Sequence, residues 1–283
     1  MQKFKTGSET ITPGPIGVFD SGYGGLTILK EMVKQLPGYD YIYLGDNARS
    51  PYGNRSFETV TQYTQQCVQA LFGMGCNLIV LACNTASAKA LRYIQQNYLP
   101  VTEPDKRVLG VIRPTTEIIG SYTKTGHVGI LGTSGTVSSG SYPIEISKFF
   151  PEIKVFQQAC PMLVPLVENN EYESTGSDYF IKKYLDELLD QSSQIDVIVL
   201  GCTHYPLLME KIKYFLPREI KVLSQSEIVA QSLQDYLIRH PQMEQLCQKG
   251  SNRTFYTSDD TATFDSMARI FFGQQVVSKN LVV

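Results

Sequence analysis

Tryptophan is absent from the 283 residues, histidine occurs three times, and charged residues make up only 18%. With 25 Lys and Arg against 27 Asp and Glu, the net charge is −2, so no basic excess exists to neutralise nucleic-acid phosphates or to hold an anionic membrane. Long apolar runs are missing too: Leu78–Cys83 and Val197–Leu200 fall far short of the roughly 20 residues that a transmembrane helix needs. Residues 1–15 are polar, contain Pro13 and Pro15 and have no apolar h-region, so they read as a loose leader and not a signal peptide. A cytoplasmic location is expected. The six cysteines show neither CxxC nor regular spacing, which argues against a disulfide framework and against zinc. They are read as thiols, and no metal or cofactor is called for. What remains as partner is a small molecule or a protein.

What is present is a globular composition, 42% hydrophobic and 11% aromatic, at a length that predicts about two domains. Short β-branched runs at 16–19, 41–44, 78–81 and 107–111 alternate with amphipathic stretches at 26–35, 57–74 and 86–98. The pattern then restarts, with strands expected at 127–131, 154–156 and 197–200 and helices near 141–149, 177–191 and 207–215. Alternation of this kind predicts an α/β fold of two similar parallel-sheet domains, with an active site in the cleft between them. A faint internal repeat supports two halves: LIVLACNT at 78–85 and VIVLGCTH at 197–204 both run from an apolar strand into small residue, cysteine and polar residue. The expected boundaries place 16–111 with 226–283 in the first domain and 112–225 in the second.

In open parallel sheets ligands bind beyond the carboxyl ends of the strands, and here those ends are polar. They carry Asp20 and Ser21, Asp46 to Gly53, Cys83-Asn84-Thr85, Thr133 to Thr136, and Cys202-Thr203-His204. Gly22-x-Gly24-Gly25 is not a dinucleotide fingerprint, since Thr27 stands at the third glycine position and Asp20 would repel a pyrophosphate; a tight turn needing glycine φ angles is the plain reading. Cys83 and Cys202 each end a strand where a helix or loop starts, a setting expected to favour the thiolate. Cys67, Cys76, Cys160 and Cys247 lack that setting and read as packing residues. A Cys–His hydrolase built on Cys202 and His204 would leave Cys83 idle.

Two facing thiols suit inversion of a stereocentre that bears an acidic C–H: one base removes a proton from one face, and a second acid returns one to the other. Asp20 is available to tune Cys83, and His204 with Glu168 to tune Cys202. Asn84, Thr85, Thr133, Thr136 and Thr203 would hold substrate carboxylates, and Tyr52-Gly53 would bring a backbone N–H and a ring edge. Asn and Thr are also common helix N-caps for purely structural reasons. Glu168, in an otherwise apolar segment, could equally be a solvated helix start.

The motifs FDSGYGG (Phe19–Gly25), DNARSPYG (Asp46–Gly53), ACNTAS (Ala82–Ser87), LGTSGTVSSGSY (Leu131–Tyr142), PLVEN (Pro165–Asn169) and GCTHYPLL (Gly201–Leu208) together resemble the glutamate racemases, over Ile16 to about Ser232. The resemblance implies cofactor-independent conversion of L-glutamate to D-glutamate for peptidoglycan, with Cys83 and Cys202 as acid/base thiols assisted by Asp20, Glu168 and His204. It places substrate contacts on Asp20, Ser21, Tyr52, Gly53, Asn84, Thr85, Thr133, Thr136, Thr203 and His204. It also implies substrate buried between two α/β domains, and often a homodimer. Arg113 and Thr115, at the expected crossover, depart from the family's usual residues and put its hinge behaviour in doubt.

Overall fold

Five consecutive buried residues, Ile16–Asp20, form the central strand β1 of the computed structural model, which describes residues 12–217 and 219–283. A strand buried on both faces needs apolar side chains throughout, and it belongs in the middle of a parallel sheet covered by helices. On one side β1 pairs with β2 (Tyr41–Gly45), and on the other with β3 (Leu78–Leu81), which is followed by β4 (Arg107–Gly110). A second parallel sheet contains β5 (His127–Gly132), β6 (Lys154–Ala159), β7 (Val197–Gly201) and β8 (Lys221–Leu223). The chain then returns to the first sheet with β9 (Arg253–Thr257) and β10 (Ser278–Asn280), giving the orders β10-β9-β2-β1-β3-β4 and β6-β5-β7-β8.

Within each sheet the four core strands share one order: second, first, third, fourth. The repeat seen in the sequence is therefore a repeat of topology, and Cys83 and Cys202 follow the third strand of their lobes. Between the first and third strands the winding reverses, which opens a crevice at the strand ends in each lobe.

Several local expectations change. The helix expected over 86–98 is broken into Asn84–Lys89, Leu91–Tyr93, a π-helical turn at Ile94–Tyr98 and Leu99–Thr102. The turn-rich crossover 112–115 is helical, Ile112–Ile118. β9 and β10 were not expected; their residues mix polar and apolar because they lie toward the edge of the sheet. Most of the loose leader, residues 1–11, lies outside the described residues, but 12–15 are not loose. The Gly14 N–H donates to Leu246 O at 3.0 Å, and Gly14 O accepts from Gln248 N at 2.8 Å.

Phe264, on the helix Thr261–Phe272, packs the returning segment onto the first lobe. It has no exposure and lies 5.7 Å from the Tyr23 ring and 6.0 Å from the Tyr43 ring, centroid to centroid. Phe264→Ala is expected to cost about 3–5 kcal/mol in stability, read from the urea midpoint, because so tightly framed a cavity cannot collapse. A cost below about 1 kcal/mol would mean that the returning segment does not belong to the core of this lobe.

Candidate active site

The crevice between β1 and β3 faces the crevice between β5 and β7, so the two lobes close strand ends against strand ends. Cys83 ends the β3 side and caps the helix Asn84–Lys89, its sulfur accepting from Ala86 N at 3.4 Å. Ser21 Oγ lies 3.4 Å from the same sulfur. These contacts were expected to yield a thiolate, but the balance goes the other way. Burial, joined by the negative charge of Asp20, pushes the Cys83 thiol up to about 12, against the weaker help of Ser21 and Ala86. At neutral pH Cys83 therefore keeps its proton.

Asp20 lies beneath the cavity without exposure, and burial raises its pKa while the charge on His204 opposes the rise. Its oxygens accept from Gly22 N at 2.8 Å and, across the lobes, from Thr203 Oγ1 at 3.4 Å. On the Cys202 side runs a chain of three groups. Glu168 Oε1 lies 2.9 Å from His204 Nε2, and His204 Nδ1 lies 3.9 Å from Cys202 Sγ, long even for sulfur. Burial works against a charged imidazole, yet the hydrogen bonds to Cys202 and Glu168 outweigh it and hold His204 at about 10. Glu168 sits at the end of the helix Leu163–Glu168 and not at a helix start; Leu163, Val164 and Val167 seat the helix on the core.

Eleven of the thirteen residues expected at the site line one cavity: Ser21, Tyr52, Gly53, Cys83, Asn84, Thr85, Thr133, Glu168, Cys202, Thr203 and His204. Asp20 and Thr136 do not; they stand behind the wall, both without exposure. Thr133 joins the lobes, its hydroxyl 2.9 Å from Thr85 Oγ1, and it also caps the helix Ser134–Ser138 by accepting from Thr136 N at 3.1 Å. Thr133 thus both caps a helix and lines the cavity.

Cys160, expected only to pack, lines the same cavity as a third thiol, which burial pushes well above the ordinary range. The glycines after β1 also differ from expectation. None of Gly22, Gly24 and Gly25 has a positive φ. Gly24 is required by close approach: a Cβ there would meet Thr203 Oγ1 at 2.2 Å and His204 Nδ1 at 2.5 Å.

The sequence reading also passed over the support for Tyr52. Asp46, fully buried, accepts from Arg49 Nε at 2.7 Å, from Ser258 Oγ at 2.8 Å and from the Tyr52 hydroxyl. Arg49 also lies over the Tyr63 ring, 4.3 Å from its centroid. Asp and Arg three residues apart in DNARSPYG were a legible ion pair; Ser258, more than two hundred residues away, was not. Cys202 and His204 gather no further ligand: among the described residues no group of three His, Cys, Asp or Glu side chains could hold a metal ion.

Paired thiols at matched strand ends of two parallel-sheet lobes, with a separate set of charged groups behind each, define a protein built for proton transfer to and from a small molecule. Comparison with known proteins names the group to which it belongs. A family model described as Asp/Glu/Hydantoin racemase matches residues 16–233. A glutamate racemase of Geobacter metallireducens is 40% identical over 263 residues, which span 91% of this chain and 92% of the relative. The crystal structure of a glutamate racemase from Bacillus anthracis superposes with a TM-score of 0.85 at 34% identity, covering 95% of this chain and 97% of that one. Another, from Francisella tularensis in complex with D-glutamate, gives 0.83 at 30% identity, covering 94% and 97%. The chain belongs to the Asp/Glu/Hydantoin racemase family.

The Glu168–His204 pair yields a pH prediction with a definite sign. Folding raises His204 from about 6.5 to about 10, so its contribution to stability is complete below about pH 6.5 and is lost as pH rises through 10. Glu168→Gln should lower the His204 titration midpoint by about 1 pH unit or more and flatten the loss of stability over that window. NMR titration is tractable with three histidines in the chain. A midpoint unmoved by the substitution would sever Glu168 from the ring.

Proposed function

We propose that this chain interconverts L- and D-glutamate with Cys83 and Cys202 as paired acid and base, needing no cofactor, and supplies D-glutamate for peptidoglycan in the cytoplasm. The same reading divides the chain into 16–111 with 226–283, and 112–225. The observation that carries it is the placement of Cys83 and Cys202 at equivalent strand ends of opposite lobes, on the wall of one cavity.

In one direction Cys202, facing the His204 cation, takes the α-proton, and the C–H electron pair stays on Cα as a carbanion. Cys83, a protonated thiol, delivers its proton to the opposite face. Return of the roles runs the reverse reaction. An α-proton is far less acidic than a thiol, so the carbanion must be stabilised by its surroundings. Amide, hydroxyl and backbone N–H donors of Asn84, Thr85, Thr133 and Thr203 meet the charge that develops toward the carboxylate, and closure of the lobes strengthens each of them by excluding water. Asp20 and Glu168 make the cavity hospitable to an ammonium group. Its arrival beside Cys83 offsets the negative charge of Asp20 and brings that thiol closer to the proton affinity that catalysis needs.

Incubation with L-glutamate in heavy water, without added cofactor, should give a racemic, α-deuterated product, followed by circular dichroism and by loss of the α-proton signal. Cys83→Ser and Cys202→Ser should each cut kcat/KM by about 10³-fold with the fold intact. Turnover near the wild-type rate in either variant would end the two-thiol mechanism. Racemisation of aspartate or of a hydantoin in place of glutamate would keep the mechanism and change the substrate.

A further inference from the structure

Tyr142 ends the motif Leu131–Tyr142, and the chemistry above makes no use of it. The ring is fully buried in the second lobe, yet its hydroxyl donates across the lobes to Asn84 Oδ1 at 2.8 Å. Asn84 lines the cavity and is only 2% exposed, and its Nδ2 has no protein partner among the described residues. Spending the amide oxygen on Tyr142 leaves an N–H₂ as the free end of a buried side chain at the substrate cavity. Such a group is costly to leave unpaired and suited to an anionic ligand.

Gln225, buried just after β8 at the return crossing, fastens that crossing to the first one: its Nε2 donates to Val111 O at 2.9 Å and to Thr115 Oγ1 at 3.1 Å, which uses both of its hydrogens. Among the described residues the Tyr142 hydroxyl is therefore the only group on this side that the structure directs at Asn84 Oδ1.

We infer that Tyr142 is a positioning residue that reaches from the second lobe to the Asn84 amide, holding Asn84 Nδ2 toward the substrate carboxylate only while the lobes are closed. The inference rests on the reading of Asn84 as a substrate contact. Opening the lobes separates Tyr142 from Asn84 and frees the amide to turn, so grip on the carboxylate is coupled to closure. Tyr142 does not touch the reacting atoms; it acts through Asn84.

A double-mutant cycle on the full-length enzyme tests this. Tyr142→Phe keeps the buried ring and removes only the hydroxyl, and should lower kcat/KM for glutamate about 5- to 20-fold. Asn84→Ala should lower it at least as far, and adding Tyr142→Phe to Asn84→Ala should cost nothing more. A merely structural role for Tyr142 would give losses that multiply, and that result overturns the inference, as does wild-type kcat/KM in Tyr142→Phe. An Asn84→Ala enzyme with undiminished kcat/KM also overturns it, while exchange by the wild-type protein in heavy water leaves the racemase reading standing. Failure of the wild-type protein to exchange is the separate result that would remove that reading itself.

Discussion

Everything at this site depends on charge held away from water between two lobes. Asp20, Glu168 and His204 would each be expensive to bury alone, and none is alone. The imidazolium sits between the carboxylate of Glu168 and the sulfur of Cys202, and its charge also opposes the burial penalty on Asp20. Asp20 belongs to the first lobe while His204 and Glu168 belong to the second, so the balance exists only when the lobes meet. Closure and electrostatics are one condition, which is why so many bonds cross the gap: Thr203 to Asp20, Thr27 to Thr203, Thr85 with Thr133, and Tyr142 to Asn84.

The two halves repeat in topology but not in the means by which each thiol is governed. Cys83 has a helix N-terminus, a serine hydroxyl and a carboxylate beneath it; Cys202 has an imidazolium backed by a second carboxylate. Symmetry of placement serves a reaction whose two directions are mirror images about one carbon. Asymmetry of tuning places different controls on the two thiols: burial beside a carboxylate holds the proton on Cys83, while Cys202 faces an imidazolium.

The strands of the inner sheets were legible because burial on both faces forces continuous apolar runs, as in Leu78–Leu81 and Val197–Val199. Cys83, Cys202 and their neighbours were legible because strand ends in parallel sheets are where ligands bind, and because the second half repeated the first. β9 and β10 were missed, as the edge strand β10 and its neighbour β9 have mixed polarity and carry no such run. Asp46, Ser258, Tyr142 and Gln225 were missed for another reason: their roles come from partners 58 to 212 positions away, and no local pattern encodes such pairings. The thiol expectation failed through magnitude. A short helix N-terminus favours an anion by less than full burial beside a carboxylate disfavours it, so Cys83 is a thiol at rest.

The glycines complete the argument about closure. Gly24 and Gly135 have ordinary backbone angles, so conformational freedom does not explain them. A Cβ on Gly135 would come within 2.9 Å of Gly53 O in the opposite lobe, and one on Gly24 would strike Thr203 and His204. Each removes side-chain bulk at a point where one lobe's backbone must touch the other. The same contacts that exclude water also bring Thr203 within reach of Asp20 and His204 into its position over the loop after β1. Glycine at these places is therefore part of the electrostatic design: the charges balance only at the separation that a missing side chain allows.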